Sequence, residues 1–421
     1  MHMPGIATRP DRGRSLLGPA LSLIHAGRAP TRSALTAALG VTRATAGAVA
    51  AELQALGLIG VDTAPGGAAG ALGRPSHRLM IDPDGPVALA AQIHPDGFQV
   101  ALVGLGGQIA AQLSAELGGA PGAPERALAP VAEAGARLLR SSGRACVAAG
   151  LAVPSAVAEP EGTAVSPLYV DWPTGTPIRD IFARQVARAG ITGPGGAALR
   201  CWAANDINAA ALAEHRHGAG RDAGHLLVIA TGHRGVGGAL VVGGALYTGS
   251  TGLGMEAGHV SVDPAGRPCR CGSRGCLDVE TDALSFMDAA GRVPSPGTAV
   301  LAQAIAILRG EYAADPAVRA AAASLTERLG LGLAGLINVL NPDRILLGGL
   351  HRYLLEADPA RLGAAVAKRS PWGRGAAVPL LPCALDDGGL IGAAELAWQP
   401  VLEDPAILVS STAPAGSRAR S

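Results

Sequence analysis

Apolar positions along this chain change period several times, and each change marks a predicted element. Leu17, Leu21 and Ile24 recur at helical spacing within residues 14–26, and Gly27 is placed to end that helix. Thr31 is a candidate N-cap for a short helix over residues 32–39. Gly40-Val41 makes a turn, and Thr42 caps a third helix to about Leu56. Val49, Leu53 and Leu56 form its single apolar stripe. Two short helices around a tight glycine turn form a helix-turn-helix. Residues 58–61 and 78–81 then alternate as a strand and its return, around a Gly- and Ala-rich loop ending in Gly73-Arg74-Pro75. The expectation is a winged helix-turn-helix over residues 14–81, after a flexible segment 1–13.

Past residue 82 the pattern becomes that of strands. Residues 87–93 and 98–105 are β-like runs joined by the turn sequence His94-Pro-Asp-Gly97. A third strand is expected over 109–117, a helix over 127–140, and a fully apolar strand over 147–153 that Pro154 ends. Three antiparallel strands, a helix and a further strand begin an α/β lobe of the actin-like, ribonuclease H-like kind. The pattern recurs at residues 226–231 and 238–242, with helices after 297. The predicted body therefore has two lobes flanking a cleft: 82–215, to which 386–400 returns, and 216–385. Residues 401–421 are expected to be disordered.

Composition narrows the setting. A chain of 421 residues with 48% hydrophobic content has room for two or three domains with large cores. No signal-peptide pattern and no run of about eighteen apolar residues is present, so a cytoplasmic protein without a membrane span is expected. Net charge is only +1, yet residues 1–80 carry eight arginines against three acids. A head at +5 on a body near −4 points to a polyanionic partner. Double-stranded DNA fits: Thr42, Arg43 and Thr45 start the third helix, which would enter the major groove N-terminus first. Arg28 and Arg32 are placed for phosphates, and Arg74, held extended by Pro75, for the minor groove. Ala46-Gly47-Ala48 leaves that helix short of polar side chains, and a mid-helix glycine costs about 1 kcal/mol. Base reading would then lean on Arg43, Thr45 and the wing. A small scaffold that binds protein is the alternative for this unit. The symmetry of DNA suggests a homodimer or tetramer.

The densest chemistry lies mid-chain, in Glu256-Ala-Gly-His259 and Cys269-Arg-Cys271-Gly-Ser-Arg-Gly-Cys276-Leu-Asp278. His259, Cys269, Cys271 and Cys276 suffice for a closed tetrahedral zinc site, which is structural because no position remains for water or substrate. Glu256, three residues before His259, shares its face on a helical turn. A disulfide between two of these cysteines beside an unrelated histidine is the alternative. Cys146, Cys201 and Cys383 are scattered, as small buried hydrophobes are in a reducing compartment.

Asn205-Asp206-Ile-Asn-Ala-Ala-Ala-Leu-Ala-Glu214, Thr231-Gly-His-Arg-Gly-Val-Gly-Gly238, the Glu256–His259 run and the cysteine cluster together resemble the ROK family of sugar kinases and sugar-responsive repressors. Gly162-Thr-Ala-Val-Ser-Pro167 leading to Trp172 and Asn338-Val-Leu-Asn-Pro-Asp-Arg-Ile-Leu-Leu-Gly-Gly349 extend the likeness, and the head resembles the repressor branch. The resemblance implies that Asp206 holds the position that takes the proton from a sugar hydroxyl in the kinases. It implies that Asn205, Glu256 and His259 bind further hydroxyls, with zinc orienting His259. Where the family usually has Glu two residues after the last cysteine, this chain has Asp278, one methylene shorter. Asp206 could equally serve as the N-cap of the helix through Glu214.

The kinases' Asp-x-Gly-Gly-Thr phosphate loop is replaced here by Gln92-Ile-His-Pro-Asp-Gly97, where Pro95 has no amide proton to offer. His233 and Arg234 stand where small residues would let phosphate approach the backbone, while Gly348-Gly349 keeps the likeness to the adenosine-side motif. The expectation is a transcriptional regulator, a repressor rather than an enzyme, with a sugar or sugar phosphate as effector. A ROK sugar kinase with an appended DNA-binding head is the alternative. A partner protein as effector is the third reading.

Overall fold

The computed structural model describes residues 16–62, 77–116, 123–166, 170, 172–371 and 378–410. The chain divides into two compact units, Met1–Pro86 with Pro194–Ala197 and Trp398–Ser421, and Val87–Gly193 with Ala198–Ala397.

In the first unit α1 (Leu17–His25), α2 (Arg32–Leu39) and α3 (Arg43–Ala55) precede β1 (Ile59–Asp62) and β2 (Arg78–Ile81). The starts of α2 and α3 each follow from a local hydroxyl. Thr31 Oγ1 accepts from the Ala34 amide at 3.1 Å and Thr42 Oγ1 from the Thr45 amide at 3.2 Å, satisfying donors that a first turn leaves unpaired. Gly40, at φ 63°, closes α2 in the left-handed region. The chain then turns through 113° into α3. Leu21, Leu35, Leu53 and Leu79 are buried, and β1 pairs antiparallel with β2, Ile59 opposite Ile81. The expected loop tip with Arg74 lies outside the described residues, as do residues 1–15. Thr42→Ala should lower stability by about 1 kcal/mol, which a thermal melt of the full chain measures.

The second unit opens with β3 (Val87–His94), β4 (Gly97–Val103), β5 (Ile109–Glu116), α4 (Pro124–Ser142) and β6 (Cys146–Val153). A small hairpin, β7 (Ala156–Ala158) and β8 (Thr163–Ser166), then leads to α5 (Ile178–Arg188), β9 (Cys201–Asn205) and α6 (Asp206–His217). The second lobe holds β10 (His225–Thr231), β11 (Val236–Val242), β12 (Ala245–Leu246), α7 (Leu277–Thr281), α8 (Ala283–Ala289), α9 (Val300–Glu311) and α10 (Pro316–Leu340). It ends with β13 (Arg344–Gly348), α11 (Leu350–Ala357), α12 (Pro359–Ala367) and β14 (Leu380–Pro382).

Among the described residues the two large sheets run β5-β4-β3-β6-β9 and β12-β11-β10-β13-β14. In each, the first three strands in sequence are antiparallel and the last two join in parallel, so one plan is used twice. Helices cover the parallel strands, which is why β6 and β10 are apolar almost throughout rather than alternating. The 25-residue α10 is long and apolar enough to cross a membrane, but Leu325, Leu329, Leu333 and Ile337 are buried in the core of the second lobe.

The carboxyl-terminal end departs from expectation. α13 (Gly388–Glu403) runs through Pro400, and after a turn α14 (Ile407–Ser410) follows, so residues 401–403 and 407–410 are helical although the sequence predicts disorder from residue 401. Trp398, Val401 and Leu402 are buried, and that burial offsets the amide that Pro400 lacks. The first part of α13 lies on the first lobe, where a Cβ on Gly150 of β6 would sit 1.8 Å from the Ala393 carbonyl oxygen. Trp398 onward belongs to the first unit, where a Cβ on Gly18 would meet the Glu403 carbonyl at 2.3 Å. Residues 411–421 lie outside the described residues.

Candidate functional site

The carboxyl ends of β6, β9 and β10 face one cleft between the lobes, the position where open α/β sheets bind ligands. β9 delivers Asn205, which registers opposite Val153 of β6. Asn205, rather than Asp206, caps α6: its Oδ1 accepts from the Ile207 amide at 2.9 Å and from the Asn208 amide at 3.1 Å. Its Nδ2 donates to the Ser155 carbonyl at 3.2 Å. The cap falls to Asn205 because its backbone is still extended, while Asp206 is already helical. Asp206, freed from capping, lines the cleft with one oxygen on the Ile207 amide at 2.9 Å. Desolvation pushes its carboxyl up to about 7, against the pull of that amide and with a further push from Glu256.

The opposite wall comes from the second lobe. Met255 takes φ 69°, rare for its size, and turns the chain into the short 3-10 turn Ala257–His259. Gly258 is required there, since a Cβ would lie 1.9 Å from the Val236 carbonyl oxygen. His259 is held between two neighbours: Nδ1 lies 3.7 Å from Cys269 Sγ, and Nε2 lies 3.9 Å from Glu256 Oε2. Glu256 is raised by partial desolvation, against the pull of His259.

His259, Cys269, Cys271 and Cys276 bring their ligand atoms within 4.8 Å of one another. Cys271 and Cys276 sulfurs stand 3.7 Å apart, far beyond a disulfide bond. A tetrahedron built on Zn–S bonds of about 2.3 Å has edges of about 3.8 Å, so the donor set fits a metal ion as it stands. Nδ1 of His259 would face the ion and Nε2 the cleft.

Asp278 also reaches this wall. It starts α7 and is buried, its Oδ1 accepts from the Val236 amide at 2.6 Å, and its Oδ2 lies 3.9 Å from Cys269 Sγ. It lines the cleft, but its carboxylate is already engaged in tying β11 to the cysteine loop. Ser155 and Arg234 also line the cleft. Sequence reading left Ser155 aside, although a polar residue just past an apolar strand was the signal for it. The expected DNA-contact residues are in the first unit: Arg28, Thr42 and Arg43 are exposed, Arg32 and Thr45 half-buried. Thr42 and Thr45 share a hydroxyl–hydroxyl bond of 2.9 Å.

The ROK family pattern matches residues 96–399. The chain belongs to the ROK family. It is 30% identical over 175 residues to NagC, a DNA-binding transcriptional dual regulator of Escherichia coli, covering 39% of this chain and 41% of NagC. It spans 41 to 65% of the length of the curated glucokinases and of NagC that it matches. The ROK regulator described as a homologue of E. coli MLC shares its fold over 94% of this chain and 98% of that one, with a TM-score of 0.71 and 21% identity. The ROK glucokinase of Streptomyces griseus, solved with glucose and AMPPNP, covers 74% of this chain and 99% of its own, with a TM-score of 0.60 and 23% identity. ROK relatives of this chain thus include both regulators and kinases, and its body has their two-lobed, actin-like fold.

Proposed function

We propose that this ROK protein is a transcriptional regulator, a repressor, that binds DNA through a winged helix-turn-helix head and a sugar or sugar phosphate in its cleft. The observation that carries this reading is the head: two threonine-capped helices bent through 113° and followed by a strand pair, with Arg43 exposed at the start of α3. A bend of that size is the one that sets a recognition helix into the major groove. The extent of the likeness to the MLC-type regulator supports it, since the likeness to the glucokinase stops at 74% of the chain.

In this reading Asp206, Glu256 and His259 take sugar hydroxyls, with Asn205 and Asp278 shaping the walls. Zn²⁺ on His259, Cys269, Cys271 and Cys276 fixes the imidazole from behind. Ligand closes the lobes, and closure alters how two heads of a dimer match half-sites about one helical turn apart. The effector acts only through its preference for the closed state; moving that equilibrium from 1:99 to 99:1 requires about 5.5 kcal/mol of differential binding. A mobility-shift assay on the DNA upstream of its own coding sequence is expected to show a complex that a particular sugar or sugar phosphate dissolves. No complex at low salt would sink the reading.

Kinase activity is the second reading, favoured by one observation: a carboxyl near pKa 7 in the cleft is matched to taking a proton from a hydroxyl. Against it, Pro95 and the imidazoles of His94 and His233 occupy the turns where backbone amides would cradle phosphate. Sugar-dependent ADP release that disappears in Asp206→Asn would decide for the enzyme.

A further inference from the structure

The two turns that face each other across the phosphate side of the cleft carry their own cluster of donors. His94 ends β3 and Asp96 lies in the β3–β4 turn, where His94 pairs with Gly97. Gly97 leaves no room for a side chain, since a Cβ would meet the Ala115 carbonyl at 2.4 Å, so the hairpin is tight and its donors are fixed. His233 comes from the other lobe, in the turn after β10, where Gly232 donates to the Gly235 carbonyl at 3.1 Å. The two imidazoles stack, with centroids 4.0 Å apart and planes within 6°. Asp96 Oδ2 lies 3.9 Å from His233 Nδ1. One ligand atom from each of the three residues falls within 4.8 Å of the other two.

This arrangement is costly without a further partner. Nδ1 of His94 and Nδ1 of His233 are both buried with no hydrogen-bond partner among the described residues. A buried polar atom left unpaired costs about 1–3 kcal/mol, and two adjacent ones in one cluster call for something that both can bind. A neutral imidazole whose Nδ1 has no hydrogen-bond partner can turn a lone pair to a metal ion there. Two imidazoles and one carboxylate suit zinc and the neighbouring divalent transition ions, and do not suit Mg²⁺ or Ca²⁺.

We propose that His94, Asp96 and His233 form a second metal site that takes Zn²⁺ between the hairpin of the first lobe and the turn of the second. It lies apart from the cysteine cluster and goes beyond the sugar reading, on which it does not depend. Turning the stacked rings about their side-chain torsions brings the nitrogens to an ion at about 2.0–2.1 Å and leaves at least one position for water or an anionic ligand. An ion there ties the lobes together beside Arg234, so metal and cleft ligand would raise each other's affinity by the same factor.

The test is equilibrium dialysis of the chelator-stripped, reduced full chain against Zn²⁺, with Co²⁺ absorption in parallel. Thiolate-to-cobalt absorption reports the cysteine cluster, and the equivalents bound without it report the second site. The wild type should bind one such thiolate-free equivalent. His94→Ala and His233→Ala should lose it while keeping the thiolate signal, and Cys271→Ser should keep it while losing that signal. Asp96→Asn, at a half-exposed residue that does not disturb packing, should weaken it by about tenfold or more. No thiolate-free equivalent in the wild type, or one that survives in both histidine variants, overturns the proposal.

Discussion

On the proposed reading, stripping the cysteine cluster of Zn²⁺, or replacing Cys271 with serine, should leave the protein folded but abolish its response to sugar, with a lowered melting temperature. Cys271 is the right residue to change because it is exposed, whereas Cys269 and Cys276 are buried and their replacement would also disturb the core. Structural zinc contributes about 10–16 kcal/mol in isolated zinc-finger peptides, which have no other core. Here the second lobe keeps Leu227, Ile229, Leu329 and Leu333 at its centre, so only part of that energy bears on global folding. The local effect is larger. Without the ion, only weak contacts at 3.7–3.9 Å hold the His259 ring to Cys269 and Glu256 and the Cys269 thiol to Asp278, and these are too long to fix either side chain. Thermal melts with and without a chelator, each repeated with a panel of sugars, measure both effects. Gly258→Ala should mimic the loss of response with metal still bound, since its Cβ would be driven into the Val236 carbonyl and would shift His259. Stripped protein that responds to sugar as the loaded protein does would refute the role given to the ion.

Local signals were legible in the sequence where one residue and its near neighbours decide the outcome. Thr31 and Thr42 announce their helices because a hydroxyl at the N-cap reaches an amide three residues on. The four metal-binding candidates, close together in sequence, also come together in space. The duplicated sheet was legible because covered parallel strands are continuously apolar. What stayed hidden depends on partners far along the chain. A proline inside a helix ordinarily breaks it, yet the burial of Trp398, Val401 and Leu402 carries this helix through Pro400. The short α7 and α8 carry too few residues to show a period, and Asp282 caps α8 through the Ser285 amide in the middle of a run that reads as loop. The engagement of Asp278 by Val236 crosses 42 residues, and the stacking of His94 on His233 joins two lobes, so neither could be read from spacing.

Asp206→Asn should separate stability from binding with opposite signs. The folded protein holds this carboxyl at about 7, above its ordinary value of 3.8, because burial disfavours its charge. The folded state therefore binds this proton more tightly than the unfolded state. This group's contribution favours folding most at low pH, declines as pH rises from about 4 to 7, and levels off above that. An amide carries no charge to desolvate, so Asp206→Asn should stabilise the empty protein above pH 7, by on the order of 2 kcal/mol after allowing for its residual exposure. Ligand binding runs the other way. If, as proposed, a sugar hydroxyl donates to the ionised carboxylate, affinity should hold steady above about pH 7 and fall about tenfold for each unit below it. The asparagine variant should bind weakly at every pH, with that slope gone. Calorimetric titration of the responsive sugar across pH, beside melts of the empty protein, gives both curves. Wild-type affinity that ignores pH through this window would remove Asp206 from the ligand's contacts, and with it the shared basis of the regulator and kinase readings of the cleft.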